Sequence, residues 1–151
     1  MSAGRICTRI VATVSPRETV RVAARRMAEH EVGTLVVVES DGVTRPIGIV
    51  TDRDIAIRCV GGGLDPDNTP VSKMMTSPVA TVEEHSSVED AVSRMAVTSA
   101  RRLVVTGDEG ELVGILSLDD VIGLITDEAR AVGRLLERQE PHLAGPAAAG
   151  R

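Results

Sequence analysis

The chain has 151 residues, 42% of them hydrophobic, a formal net charge of −5, and no Phe, Tyr or Trp. One compact domain, or two very small ones, fits that length. The acidic balance and the missing rings argue against nucleic acid, whose binders need a basic surface and stacking platforms.

Lys73 is the single lysine, so Schiff-base chemistry has one candidate. Cys7 and Cys59 are too few for a disulfide framework and read as reduced, buried thiols of a cytoplasmic protein. Met1 to Val14 carries Arg5 and Arg9 and lacks the apolar stretch of a signal peptide. Apolar runs such as Leu35-Val36-Val37-Val38 are far short of a membrane span, so no membrane partner is expected.

In chain order, the first strong pattern is Val20, Ala23, Ala24 and Met27, one apolar stripe of a helix with Thr19 before it as N-cap. Leu35–Val38 then reads as a buried strand, Ser40-Asp41-Gly42 as a turn, and Ile47–Val50 as the second arm of a hairpin. A second helix is expected after Thr51. Gly61 to Asp67 forms a linker, and Thr69-Pro70 opens a brief helix with Pro at its first position.

The pattern then starts again. Val11-Ala12-Thr13-Val14 returns as Val79-Ala80-Thr81-Val82, an offset of 68. Val20, Ala23, Arg26, Met27 and Ala28 match Val88, Ala91, Arg94, Met95 and Ala96, and Leu35-Val36-Val37 matches Leu103-Val104-Val105. After a loop two residues longer in the first copy the offset is 66: Gly48-Ile49 pairs with Gly114-Ile115, Thr51 with Ser117, Asp54 with Asp120. Val88, Ala91, Val92 and Met95 repeat the helical stripe, with Ser87 as N-cap and Asp90 placed as in a capping box. Leu103–Val105, the turn Gly107 to Gly110 and Leu112–Leu116 predict a second hairpin, with another helix after Ser117. Each copy is therefore strand, helix, two strands, helix. One sheet face is covered by helices, so the other faces are expected to pack the two copies together.

This ordered set, occurring twice from Ile6 to about Arg138, resembles tandem CBS domains, the regulatory pair also called a Bateman module. Thr51-Asp52-Arg53-Asp54-Ile55 followed by Gly62-Gly63-Leu64-Asp65-Pro66 looks like the small stand-alone, stress-associated bacterial members. No attached catalytic or transporter domain is expected. The resemblance implies an α/β (α+β) fold of two β-α-β-β-α repeats packed as a pseudo-two-fold pair. The expected division is repeat 1 over 1–63, linker and short helix over 64–73, repeat 2 over 74–138, and a flexible tail over 139–151.

The resemblance also implies an adenosine-type ligand (AMP, ADP, ATP, S-adenosylmethionine, sometimes NADH) in clefts between the repeats, with no cofactor required. Thr51 with Asp54, and Ser117 with Asp120, stand where the family's Thr-x-x-Asp holds the ribose. A carboxylate accepts both protons of a cis-diol, and each charge-assisted bond contributes about 1.5–3 kcal/mol. The same spacing is a helix capping box, and both roles can coexist. Arg101-Arg102 precede Leu103 where nucleotide-binding members carry basic residues toward phosphates, whereas the first copy has Gly33-Thr34 there and only Arg53 to compensate. The alternative is that both arginines are simply solvated. The second site, completed by the strand Ile10–Thr13 (Ile10, Val11, Thr13), is therefore expected to be the better phosphate site. The first, completed by Pro78–Thr81 (Val79, Thr81), is expected to be empty or to favour a less charged ligand. Adenine would lie against Ile10, Val11, Val79, Ile49 and Ile115, without ring stacking.

His30, His85 and His142 lack metal-ligand spacing, and no P-loop or nucleophile–base set occurs. Asp52 with Asp54 and Asp119 with Asp120 would support only a minor enzyme reading. The last helix, Asp119 to about Arg138, carries Val121, Ile122, Ile125, Ala129, Val132, Leu135 and Leu136, either as an added core element or as a homodimer face. The leading expectation is a non-enzymatic, cytoplasmic nucleotide sensor acting on an unknown regulated protein. The rival is a ligand-independent dimeric interaction module.

Overall fold

The computed structural model describes residues 1–139; the tail expected from 139 onward lies outside them apart from its first residue. A short helix α1 (Ala3–Ile6) precedes strand β1 (Thr13–Val14), helix α2 (Val20–Glu29) and the hairpin β2 (Thr34–Ser40) and β3 (Thr44–Thr51). Helix α3 (Asp52–Asp54) runs on as a π-helix over Ile55–Val60, and a 3-10 turn spans Val71–Lys73. The second half repeats the order with β4 (Thr81–Glu83), α4 (Val88–Thr98), β5 (Arg102–Thr106), β6 (Leu112–Ser117) and α5 (Leu118–Gln139). Each half has a three-stranded sheet, β1-β2-β3 and β4-β5-β6, whose first pair is parallel and second antiparallel. This is the twofold β-α-β-β-α, α/β architecture expected from the repeat.

Local chemistry explains the boundaries. Thr19 and Ser87 cap α2 and α4, accepting from the amides of Val22 and Asp90. Both hairpins extend past the expected runs, and their turns use Gly42 and Gly110 at φ of 99° and 78°, where a side chain would be strained. The helices after the hairpins end differently. Gly61-Gly62-Gly63 stops the first, with the amides of Gly61 and Leu64 reaching the carbonyls of Ala56 and Cys59 five residues back. The second copy has Asp127-Glu128-Ala129 at those positions, so α5 continues for 22 residues, about 33 Å. The 3-10 turn begins at Val71, which puts Pro70 at its N-cap and not inside it.

Two aliphatic cores result. Val14, Val20, Ala23, Met27, Leu35, Val37 and Val50 pack in the first, and Val82, Val88, Ala91, Met95, Leu103, Val105 and Leu116 in the second. Ala24 and Val92, expected on the apolar stripes, are exposed. Val36 and Val104 point to the opposite sheet faces by the strand's period of two and are still buried, as faces covered by the other half must be.

The halves also exchange the segments that precede them. Ala3, Ile6 and Cys7 pack in the second core, while Val71, Met74 and Met75 pack in the first. Thr8 and Ile115 exchange backbone hydrogen bonds of 2.8 and 2.9 Å, and Thr76 and Ile49 exchange bonds of 2.8 and 3.1 Å. Each half thus borrows an edge from the stretch of chain leading into the other.

Glu18 and Arg26 tie β1 to α2. Glu18 accepts from Arg26 Nη1 and Nη2 at 3.0 and 2.9 Å, and Arg26 Nη1 also donates to Thr13 O at 2.7 Å. The guanidinium's hydrogen bonds hold the Glu18 carboxyl below its ordinary value. A carboxyl depressed in the folded state stabilises above its unfolded pKa, and the gain is lost as pH falls through the folded one. Glu18→Gln is expected to cost about 1 kcal/mol at neutral pH, limited by solvent screening. In denaturant titrations the gap to the parent should narrow as the pH falls below the ordinary range of a glutamate carboxyl and close once the folded-state carboxyl is protonated. A gap that persists there would show that packing, not charge, sets the effect.

Candidate functional site

The strand-to-helix junctions after β3 and β6 place a carboxylate and a hydroxyl side by side. At the second junction Asp120 Oδ2 accepts from Ser117 N at 2.7 Å and from Ser117 Oγ at 2.6 Å, while Asp120 N donates back to Ser117 Oγ at 3.2 Å. At the first, Asp54 Oδ2 accepts from Thr51 N at 3.0 Å and Oγ1 at 2.9 Å, and Asp54 N donates to Thr51 Oγ1 at 3.1 Å. Capping therefore occupies one carboxylate oxygen in each copy. What becomes of the other oxygen differs. Asp54 Oδ1 lies 3.5 Å from Arg58 Nη2, and Arg58 is itself anchored by donating to Met74 O at 2.8 Å. The matching position in the second half is Leu124, which packs against the core, and among the described residues no cationic nitrogen lies within 4.0 Å of Asp120.

Asp120 and Ser117 open onto a cleft of about 310 Å³, at the lower end of ordinary small-molecule sites. Its other walls are Thr8, Ile10, Val11 and Ala12 leading into β1, Val32 to Thr34 from the first half, and Ile115 and Arg102 from the second. Ile10 is 95% exposed, an apolar side chain held in solvent at the rim where a ligand would cover it. A second cleft of about 290 Å³ is the pseudo-symmetric counterpart, walled by Thr76, Pro78, Val79 and Ala80, by Ile49, and by Arg94, Thr98, Ala100 and Arg102. Arg102 is the one residue common to both walls.

The structure thus gathers Ile10, Val11, Arg102, Ser117 and Asp120 around one cleft and Val79 and Arg102 around the other. Thr51, Arg53 and Asp54 line neither cleft. Arg53 is exposed, its backbone amide donating to Asp52 Oδ1 at 2.7 Å. Arg101 borders an adjoining depression with Leu118 and Asp119, which shares Arg102 and Ser117 with the Asp120 cleft. Thr13 sits in β1, where its carbonyl holds Arg26, and Thr81 in β4, where its carbonyl holds Arg94. Ile10 to Ala12 precede the strand and do not belong to it, which leaves Ile10 and Val11 free to wall the cleft. Thr8, Arg94 and Thr98 were not singled out as site residues. The recurrence of Arg26 as Arg94 was the available signal for the second of these.

Among the described residues no three His, Cys, Asp or Glu side chains are grouped to hold a metal ion. Burial pushes the Cys7 thiol up, with Arg9 as a lesser opposing influence, so Cys7 stays protonated and poorly nucleophilic. No helix among the described residues is long and apolar enough to cross a membrane.

The family model for the CBS domain matches residues 3–61 and again 71–127. An uncharacterized protein of Methanopyrus kandleri is 39% identical over 81% of this chain and 61% of its own length, so the chain spans about three fifths of that relative. The CBS domain-containing protein YhcV of Bacillus subtilis is 44% identical over 74% of this chain and 76% of its own. Hypoxic response protein 1 of Mycobacterium tuberculosis is 31% identical over 85% and 84%. Among solved structures, a CBS domain protein of Pyrobaculum aerophilum complexed with AMP superposes with a TM-score of 0.71 at 32% identity, covering 80% of this chain and 89% of that one. A hexameric CBS-CP12 protein from bloom-forming cyanobacteria superposes with a TM-score of 0.70 at 31% identity, over 81% and 66%.

Proposed function

The chain belongs to the CBS domain family, and on that premise we propose that it is a non-enzymatic regulatory module of the cytoplasm. It binds an adenosine-type nucleotide in the Asp120 cleft and passes occupancy on to a regulated protein. The observation that carries this reading is Asp120 itself. Oδ2 is spent on the α5 cap, while Oδ1 is left open on a cleft that also holds Arg102 and the exposed Ile10. A ribose diol donates two hydroxyl protons to such an oxygen, a guanidinium meets phosphate, and aliphatic walls receive the base. The AMP carried by the Pyrobaculum aerophilum relative has the same chemistry. Signalling then requires only that the nucleotide bind two arrangements of the halves unequally.

A second reading, a ligand-independent dimeric interaction module, is favoured by α5. Val121 is buried, but Ile122, Ile125, Val132, Leu135 and Leu136 are each more than half exposed. Such a stripe suits a homodimer, whatever the clefts hold. Thermal melting with AMP, ADP, ATP, S-adenosylmethionine and NADH separates the two, read with a dye because the chain has no Trp or Tyr. Ligand at about 100 times its Kd should add about 2.7 kcal/mol, raising Tm by roughly 5–10 °C. If none of the five moves the melting curve, the nucleotide reading falls and the interaction module stands.

A further inference from the structure

Duplication lets each side chain be compared with its counterpart, and one ion pair of the first half has lost its acid in the second. Arg26 and Arg94 occupy the same position in the two halves, as do Thr13 and Thr81, Ser15 and Glu83, and Glu18 and Ser86. In the first half Glu18 folds back on the end of β1. Its Oε1 accepts from Arg26 Nη2 at 2.9 Å, and its Oε2 accepts from Arg26 Nη1 at 3.0 Å and from the Ser15 amide at 2.7 Å. A carboxylate is thus held between a guanidinium fork and a backbone amide.

The second half keeps these donors and omits the carboxylate. Arg94 Nε donates to Thr81 O at 3.0 Å, as Arg26 Nη1 does to Thr13 O. Among the described residues no carboxylate oxygen lies within 4.0 Å of an Arg94 nitrogen. The outer strand β4 turns the Ala80 carbonyl and the Glu84 amide toward β5, so by alternation the Glu83 amide points off the sheet edge. Ser86 is too short to fill the place of the Glu18 side chain. A depression of about 350 Å³ is left, lined by Thr81, Val82, Glu83, Ser86, Asp90 and Arg94. It shares Arg94 with the cleft between the halves and none of that cleft's other walls.

The depression also carries acids that the first half lacks. Glu83 and Asp90 stand where the first half has Ser15 and Val22. Among the described residues neither lies within 4.0 Å of a cationic nitrogen. Asp90 Oδ2 accepts from the Ser87 hydroxyl at 2.8 Å, which leaves Oδ1 for another donor. Two carboxylates against one guanidinium disfavour a plain anion. A molecule with a carboxylate and an ammonium a few ångströms apart satisfies all three charges.

We propose that this depression between β4 and α4 binds a small zwitterion of the α-amino acid class. Its carboxylate sits on Arg94 and the Glu83 amide, as that of Glu18 sits on Arg26 and the Ser15 amide, and its ammonium faces Glu83 and Asp90. The walls are polar apart from the buried Val82, so the site reads the zwitterion and leaves the ligand's side chain toward solvent. Nothing in this depends on the nucleotide reading of the Asp120 cleft.

The test is titration of the full chain with L-alanine, propionate and ethylamine, followed by ¹⁵N-resolved NMR. L-Alanine is expected to shift the amides of Glu83, Ser86 and Arg94 saturably. Propionate and ethylamine, each lacking one charge, should bind at least tenfold more weakly. Arg94→Gln should weaken alanine binding at least tenfold. Ser86→Glu, which supplies the missing acid, should weaken it as much without lowering Tm, so that the loss is not one of folding. With Glu83→Gln and Asp90→Asn combined, the preference for alanine over propionate should shrink to below about threefold. No saturable shift at the three amides, shifts centred on Ile49 and Val79, or undiminished affinity in both Arg94→Gln and Ser86→Glu would overturn the site. Propionate binding the parent protein as tightly as alanine would overturn the zwitterion as its ligand.

Discussion

Asp120→Ala is expected to weaken AMP binding by about 100-fold or more, while Asp54→Ala leaves it within about twofold. A cis-diol gives the Asp120 carboxylate two charge-assisted hydrogen bonds, each contributing about 1.5–3 kcal/mol, and 1.4 kcal/mol is a factor of ten in affinity. Asp54 is the internal control. Both carboxylates cap their junctions through Oδ2 in the same way, so both substitutions should cost a similar ~1 kcal/mol of folding stability. Only Asp120 opens on a cleft, whereas Asp54 Oδ1 faces Arg58. Calorimetry for binding and denaturant titration for stability read the two effects separately. Equal losses of affinity in the two variants would mean that the clefts are functionally symmetric and that Arg58 does not occlude its neighbour.

Gly114→Ala is expected to destabilise the fold by about 2–3 kcal/mol, lowering Tm by roughly 5–10 °C. A Cβ at Gly114 would come within 2.7 Å of both Cys7 Sγ and Thr8 O. The Cys7 thiol can turn aside, but the Thr8 carbonyl cannot retreat, because it accepts the Ile115 amide at 2.9 Å in the exchange between the halves. Gly133→Ala provides the contrast. It lies in α5 with nothing within 4 Å of the added carbon, and replacing a helical glycine should be neutral or stabilising by up to about 1 kcal/mol. Thermal melts of both decide the matter: a Gly114→Ala protein as stable as the parent would show that the borrowed edge strand contributes little.

The repeat was legible because its periods are physical. Val20, Ala23 and Met27 fall on one helical face, Leu35 and Val37 on one strand face, and the same residues recur 68 positions on. The Thr51–Asp54 and Ser117–Asp120 junctions were legible for a similar reason, since capping geometry demands their spacing. The borrowed segments were not. Ala3–Ile6 and Val71–Lys73 are single turns, too short to show a period, and their matching residues are not identical. The split between the clefts was legible in part. Arg102 was expected to mark the second site, but whether Asp54 or Asp120 is open depends on where Arg58 reaches. That is a tertiary choice, invisible to spacing. Arg94, which walls the other cleft, carried no such signal, because its counterpart Arg26 is paired with Glu18 and reads as structural.

The exchange of leading segments gives the chain an order of assembly. As it emerges from the ribosome, the first core can close once Val71 to Met75 have appeared, just behind the elements they support. The second core must wait for β6 at Leu112–Ser117, and then recruit Ala3, Ile6 and Cys7, residues synthesised well before it. Bringing such distant ends together costs only a logarithm of the intervening length. At translation rates of about 5–20 residues per second, however, the leading helix spends seconds with its apolar face unclaimed. The segment Ala3–Ile6 is therefore the natural target for a chaperone during synthesis, and the last part of the described fold to become committed.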